Sequence, residues 1–407
     1  MFERSTVVMV FHGNLRHSEH HYDRLKMSLE QGWLKELLAS IEVPTEISFQ
    51  GEDIVSLEVA APDVLKELAT NPLIRVNPGF FTHALSSSYP GLRAKQIETS
   101  LRVAREYLPE DKLSWIHVWP EMDISSQGVA TFSSVVERGN GLLALKDLRY
   151  TYEYRDELIE TRKPLTDTIM QCQGVPIIAA EAADMRNIYL GFYRNVFSPE
   201  DFIQEALKRT QASKHNFVVF FTDLEVPLIN HLDDNPQLAK WRAFQRALKR
   251  ANDTGMIDFV SFNDVKDKLA GLIDSSPETV IRERDDMKWY GRTPEQAEAL
   301  REIYEQISLG LKGARDPIEA MMMTVSDTFS AHTVRRMELD VLSQSGKEEV
   351  INKVIIEPDT TARMNELDWL VGGMQNLTLD NSAINWHKQI LRKVLNRTRE
   401  ITTMSRS

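Results

Sequence analysis

Short apolar runs, each stopped by a polar or turn-forming residue, alternate over roughly the first 270 residues with longer segments whose apolar positions recur every three or four residues. Val7 to Phe11 reads as a buried strand running directly into His12, Gly13 and Asn14, and Leu25, Leu29, Trp33, Leu34 and Leu37 follow at helical spacing. The plan repeats. Glu46 to Phe49 is a short strand that Gly51 breaks, and Val59 to Ala69 is helical with Pro62 suited to a first turn. Leu73 to Val76 is a third strand, stopped by Asn77, Pro78 and Gly79, and Lys95 to Leu108 is a helix leading into the aromatic run SWIHVWPEMDI, Ser114 to Ile124.

The alternation blurs from Gly128 to Arg155, which reads as two or three strands with a turn at Gly139 to Gly141, an insertion or a local antiparallel piece. Beyond it, Val175 to Ala179, Ile188 to Tyr193, Phe217 to Phe221 and Ile257 to Phe262 are strand candidates, with helices over Pro199 to Thr210 and Gln237 to Ala251. Strands separated by helical crossovers predict a parallel sheet, and about seven of them predict a closed or nearly closed (β/α) barrel. From Pro294 onward the pattern is helical, with a change of character near Asp274 to Pro277. The expected organisation is an α/β barrel over 1–274 followed by a helical C-terminal region over 275–407.

Composition narrows the functional classes. A chain of 407 residues with 42% hydrophobic content can bury a large core, and a net charge of −12 argues against nucleic acid or an anionic membrane as a partner. The single cysteine, Cys172, allows no internal disulfide and reads as a buried thiol. No run approaches the roughly 20 apolar residues of a membrane span, and the start, MFERSTVVMVF, lacks the plan of a signal peptide, so a cytoplasmic location is expected.

Two strands end in paired acids. Glu121 and Asp123 follow Trp119 and Pro120, and Asp223 and Glu225 close NFVVFFTDLEV. Carboxylates beyond the carboxyl ends of barrel strands are candidates for chemistry, and two such ends on one rim can bring distant residues together. The order of these segments is similar to glycoside hydrolase family 57. In that family a strand ending in Trp-x-x-Glu supplies a nucleophile and a later Asp-Gly-Glu supplies the acid/base; WPE and Asp223-Leu224-Glu225 resemble them. PTEISFQG, DVLKEL, the Asn77 to Leu85 loop and Gln96 look like family features in family order. The sequence departs where the family has His-x-His-Gln-Pro, reading His12-Gly13-Asn14-Leu15-Arg16.

The resemblance implies a seven-stranded barrel with a helical tail, and retaining hydrolysis or transglycosylation of an α-glycan, an α-glucan above all, through a glycosyl-enzyme intermediate with no cofactor. Glu121 would be the nucleophile and Asp223 the acid. His12, Asn14 and His83 would bind sugar hydroxyls, Trp115 or Trp119 would stack on a pyranose, Asp123 and Glu225 would support the acids, and Trp386 in NSAINWH would correspond to a tryptophan the family's helical region sends toward the cleft. The partner implied is an oligo- or polysaccharide. Two other readings stand beside it. His17, His20 and His21 form a His-x-x-x-His cluster that with Asp223 would suit a metal-dependent deacetylase or hydrolase. A barrel with altered motifs would suit a glycan-binding protein without catalysis.

Overall fold

The structure, a computed structural model, describes residues 2–15, 26, 28–84, 89–120, 124–145, 151–154, 157–160, 168–181, 183–224, 226–228, 237–274, 276, 314, 316–322 and 382–404. The strands are β1 (Thr6–His12), β2 (Thr45–Ser48), β3 (Ile74–Asn77), β4 (Ile116–His117), β5 (Gly141–Leu145), β6 (Thr151–Tyr154), β7 (Glu157–Glu160), β8 (Ile169–Cys172), β9 (Val175–Ala180), β10 (Phe217–Asp223) and β11 (Asp258–Phe259). The helices are α1 (Trp33–Ala39), α2 (Gly51–Ala60), α3 (Pro62–Thr70), α4 (Arg93–Tyr107), α5 (Ser126–Val135), α6 (Ala183–Tyr193), α7 (Pro199–Ala212), α8 (Leu238–Asp253), α9 (Lys266–Ile273), α10 (Pro317–Met322) and α11 (Ser382–Met404).

Seven of these strands close on themselves. The order β10-β1-β2-β3 is a parallel ladder, and β4-β5-β9 is another. Two seams join them. At one, Ser114 N donates to Val76 O at 2.9 Å and Val118 N to Pro78 O at 2.9 Å, linking β3 to β4 in parallel. At the other, Glu181 N donates to Val219 O at 2.8 Å, linking the end of β9 to β10. The ring is therefore the expected (β/α)7 barrel. Strand β11 pairs only with Thr6 and Val7 at the foot of β1 and is a plug at the base rather than a further stave.

Residue alternation separates two packing zones. Val7, Met9 and Phe11 face the helices with Val218 and Phe220, whereas Val8, Val10, Phe217 and Val219 fill the barrel with Ile116, Leu143 and Ile178. Helix α9 closes the base by adding Leu269 and Ile273 to the interior cluster. Outside, Tyr189, Phe202, Phe220, Trp241 and Phe244 form a tilted and edge-to-face aromatic stack between strand and helices.

Three sequence expectations change. Ile188 to Tyr193 is not a strand but the end of α6, whose Met185, Tyr189 and Tyr193 are buried at four-residue spacing. The segment after Gly128 is not wholly an insertion: it begins as α5, capped by Ser125 Oγ accepting from Gly128 N, and β5 is a parallel stave, with only β6 and β7 forming an antiparallel hairpin. The helix read over Val59 to Ala69 is two helices, since Pro62 opens a new one and Gly51 opens the first.

The described parts of the C-terminal region join the outer core. Ile318, Met321 and Met322 of α10 and Leu391, Val394 and Leu395 of α11 belong to the same cluster as Ile54 and Val55 of α2. Arg399 on α11 lies 2.5 Å from Asp316 and 3.4 Å from Glu319, and Arg102 on α4 donates to Thr402 O at 2.7 Å. The boundary expected at 274/275 falls beside residues outside those described. Among the described residues no helix is long and apolar enough to cross a membrane.

The β3–β4 seam can be tested at Gly79, where a Cβ would come within 2.4 Å of Val118 O. Gly79→Ala is expected to lower the unfolding free energy by about 1–3 kcal/mol, the cost of overpacking, whereas Gly91→Ala, which meets nothing within 4 Å, is expected to change it by no more than about 0.5 kcal/mol; urea titration reads both.

Candidate active site

The carboxyl ends of four adjacent strands form one level of the barrel mouth. Register sets Asp223 of β10 beside His12 of β1, His12 beside Ser48 of β2, and Ser48 beside Asn77 of β3. One inward level below are Phe221, Val10, Glu46 and Arg75. His12 and Asp223 face inward because they continue the parity of Val8 and Val10 and of Phe217 and Val219. Leu224 N donates to His12 O at 2.7 Å and Gly13 N to Ser48 O at 2.9 Å, so the ladder runs past the last strand residues and holds their side chains in place. Gly13 has to be glycine, since a Cβ would lie 2.1 Å from the Phe49 ring.

The loop after β3 adds a second imidazole. His83 Nε2 is 3.0 Å from His12 Nε2, so one ring donates to the other, and both are buried. That loop is fixed from two sides: Thr82 N donates to Gln96 Oε1 at 2.9 Å, Gln96 Nε2 donates to Thr82 Oγ1 at 2.8 Å, and Thr82 Oγ1 donates to Met321 O at 3.2 Å. Behind the histidines, α2 begins with buried Glu52 and Asp53. Asp53 accepts from Leu15 N and Gln50 N, each at 3.0 Å. Burial, with the nearby Glu52 carboxyl adding to it, pushes Asp53 up to about 7 against those two donors and the pull of His83. Glu46, inside the barrel, accepts from Phe262 N at 2.7 Å, and burial pushes it too up to about 7.

Asp223 sits at the wetter side of the mouth. It is 39% exposed, and its Oδ2 accepts from Arg186 Nη2 of α6 at 2.6 Å. Strand β4 is the stave nearly opposite β10 in the ring, separated from it by β1, β2 and β3 on one side and by β5 and β9 on the other. Trp119 and Pro120 follow β4, and Glu121 and Asp123 lie just beyond, outside the described residues, as does Glu225.

The remaining sequence candidates separate. Asn14 is half-buried one residue beyond Gly13. Trp119 is buried against Phe80, at 4.7 Å between ring centroids, and Phe132, so its ring is part of the outer core. Trp115, offered as a stacking surface, lies instead at the opposite end of the barrel, where its Nε1 donates to Phe262 O at 2.8 Å. Trp386 packs on the outer core from α11. Among the described residues no three His, Cys, Asp or Glu side chains gather as a metal site requires, and His17, His20 and His21 lie outside the described residues. Cys172 is a buried free thiol.

Sequence reasoning missed Ser48, Asn77, Gln50, Asp53 and Arg186. The strand-end rule that singled out His12 and Asp223 applies equally to Ser48 and Asn77, each the last residue of its strand. Ser48 Oγ and Asn77 Oδ1 are buried without a hydrogen-bond partner among the described residues. Buried polar atoms are almost always paired, which sets these two strand-end residues, level with His12, apart from the rest of the core.

No protein-family model matches the chain, and no curated protein matches it. Solved structures do. A 4-alpha-glucanotransferase from Thermococcus litoralis superposes with a TM-score of 0.57 at 12% identity, over 81% of this chain and 56% of that one. A GH57 branching enzyme from the hyperthermophilic archaeon Thermococcus kodakaraensis, solved in complex with glucose, gives 0.52 at 11% identity over 95% and 94%. An exo-type maltose-forming amylase from Pyrococcus sp. ST04 gives 0.51 at 13% over 97% and 74%. The chain spans 56% of the length of the glucanotransferase. At these identities the likeness establishes the fold, which this chain shares with those three enzymes.

The buried carboxyls generate a pH signature. A carboxyl whose folded pKa is raised stabilises the native state fully below its unfolded pKa, and that stability is lost as pH rises toward the folded value. With Asp53 and Glu46 moved from 3.8 and 4.5 to about 7, unfolding free energy measured in urea is expected to fall from about pH 4 to about pH 7. The slope should be shallower in Asp53→Asn and in Glu46→Gln.

Proposed function

We propose that the chain is a divergent family 57 glycoside hydrolase or transglycosylase that acts on an α-glycan, an α-glucan above all, with retention. Glu121 attacks the anomeric carbon and forms the glycosyl-enzyme, Asp223 protonates the leaving oxygen and then activates the incoming water or sugar hydroxyl, and His12, Asn14 and His83 bind the sugar. The observation that carries the reading is the inward-facing His12–Asp223 pair at the carboxyl ends of neighbouring strands, nearly opposite the strand that leads to Glu121. Ser48 and Asn77, level with His12 on the neighbouring strand ends, continue the polar rim of the mouth. The activities of the three structural neighbours, glucanotransfer, branching and maltose formation, agree with an oligo- or polysaccharide substrate and with either outcome of the second step.

Arg186 shapes this mechanism. Its guanidinium holds Asp223 Oδ2 and leaves Oδ1 to face a leaving group, and at 47% exposure it has solvent to move into. Asp123 and Glu225 support the two acids in this reading, which takes 275–407 as a helical C-terminal region, while Trp386 packs on the outer core and has no part in the mouth. A cytoplasmic location accompanies this reading.

The test is incubation with 2-deoxy-2-fluoro sugars of α-gluco and α-galacto configuration, followed by intact-mass and peptide mass spectrometry. A label on the peptide containing Glu121, absent in Glu121→Gln, is the expected result, and Asp223→Asn should lower kcat by about 10²–10⁴. Folded protein that takes no label and releases no sugar from any α-glucan refutes the proposal.

A further inference from the structure

A cavity lies on the outer side of β4 and reaches the end of the barrel away from the mouth. Its walls come from β4 and the residues just before it, from Pro78 after β3, from α4, from the turn between α5 and β5, and from the segment after β11. It encloses about 360 Å³, room for one pyranose ring with several waters. Two features mark it as more than a packing fault. His117, on the helix side of β4, lines it with Nδ1 buried and without a hydrogen-bond partner, its ring otherwise packed edge-on against Phe132. Burial, with Arg105 nearby, pushes this imidazole down to about 3, so the ring is neutral.

The lining charges cancel. Arg105 stands 3.6 Å from Glu110 and 3.5 Å from Glu137, and Lys266 Nζ is 5.7 Å from the centre of the Trp115 ring. Two cations against two carboxylates give an anion or a cation no net advantage, whereas planar polar side chains beside them suit neutral hydroxyls. Asn140 and Asn263 add amide groups that are oriented by internal bonds, Asn140 Nδ2 donating to Glu137 O at 2.9 Å and Asn263 Nδ2 to Leu113 O at 3.0 Å, and Leu101 with Val135 supplies an apolar wall of the kind that the C–H face of a sugar covers.

We propose that this basal cavity is an accessory binding site for a neutral sugar unit, a single glucose-type ring or the end of an oligosaccharide, separate from the barrel mouth. It stands on the cavity and its lining and does not require the catalytic reading. Such a site would hold one part of a glycan on the enzyme while the mouth works on another, raising the local concentration of chain ends.

Hydrogen-exchange mass spectrometry with maltose, glucose and, as a contrast, sodium phosphate tests it on the full chain. Maltose is expected to slow exchange in peptides spanning 101–117 and 135–141, and phosphate is not. Leu101→Trp, which fills the cavity, should abolish that protection while leaving protection at the mouth. Asn140→Ala, at an exposed turn, should raise the maltose concentration needed by about fivefold, the equivalent of one hydrogen bond, with activity on small substrates unchanged. No protection of these peptides at saturating maltose, protection by phosphate instead, or protection that survives Leu101→Trp in folded protein each overturns the proposal. A fluorosugar label on Glu121 without basal protection removes this site and keeps the catalytic reading; basal protection without label or turnover does the reverse.

Discussion

Closure is the constraint on which everything else in this molecule rests. A parallel sheet buried on both faces leaves no water to satisfy an edge, so each backbone N–H and C=O along an open strand would be a standing penalty. Three short hydrogen bonds remove it: Ser114 N to Val76 O, Val118 N to Pro78 O, and Glu181 N to Val219 O. With the ring shut, every stave ends at one rim, and residues as far apart in the chain as His12 and Asp223 become lateral neighbours by register alone. The mouth is thus a by-product of satisfying the backbone, and side-chain identity at seven strand ends decides what it does.

That dependence explains which parts of the fold the chain reveals by itself. In β1 and β10 both faces are apolar, the run is uninterrupted, and the first polar residue marks the rim, so strand and site are read together. The segment 126–135 carries Val129, Thr131, Phe132 and Val135, of types that favour strands, yet it is a helix because Ser125 caps it and Val129 and Phe132 bury against the barrel. Ile188 to Tyr193 fails in the same way. Its aromatics look like a strand, and only the tertiary stack of Tyr189 against Phe220 and Phe244 shows the helical spacing to be the one in use.

The site is legible to the extent that it sits on strands. His12 and Asp223 follow from parity, but the partner of Asp223 comes from the first turns of α6, and no local pattern marks Arg186 as reaching it. Asp53 is hidden for a related reason. It looks like an ordinary first-turn acid favoured by the helix dipole, and only the packing of α2 beneath the His12–His83 pair shows that it is buried and held by two backbone amides. Trp119 shows the converse: an aromatic next to a candidate nucleophile suggests stacking on a ligand, whereas its ring is needed to pack against Phe80 and Phe132.

The bond from Thr82 Oγ1 to Met321 O spans 239 residues of sequence. During synthesis the barrel staves leave the ribosome first, and the loop bearing His83 then lacks one of its two supports. The carbonyl that completes it is made only after all the staves, and α11, which braces α2 and α4, is made later still. One support of the barrel's entrance therefore comes from a part of the chain made after every stave.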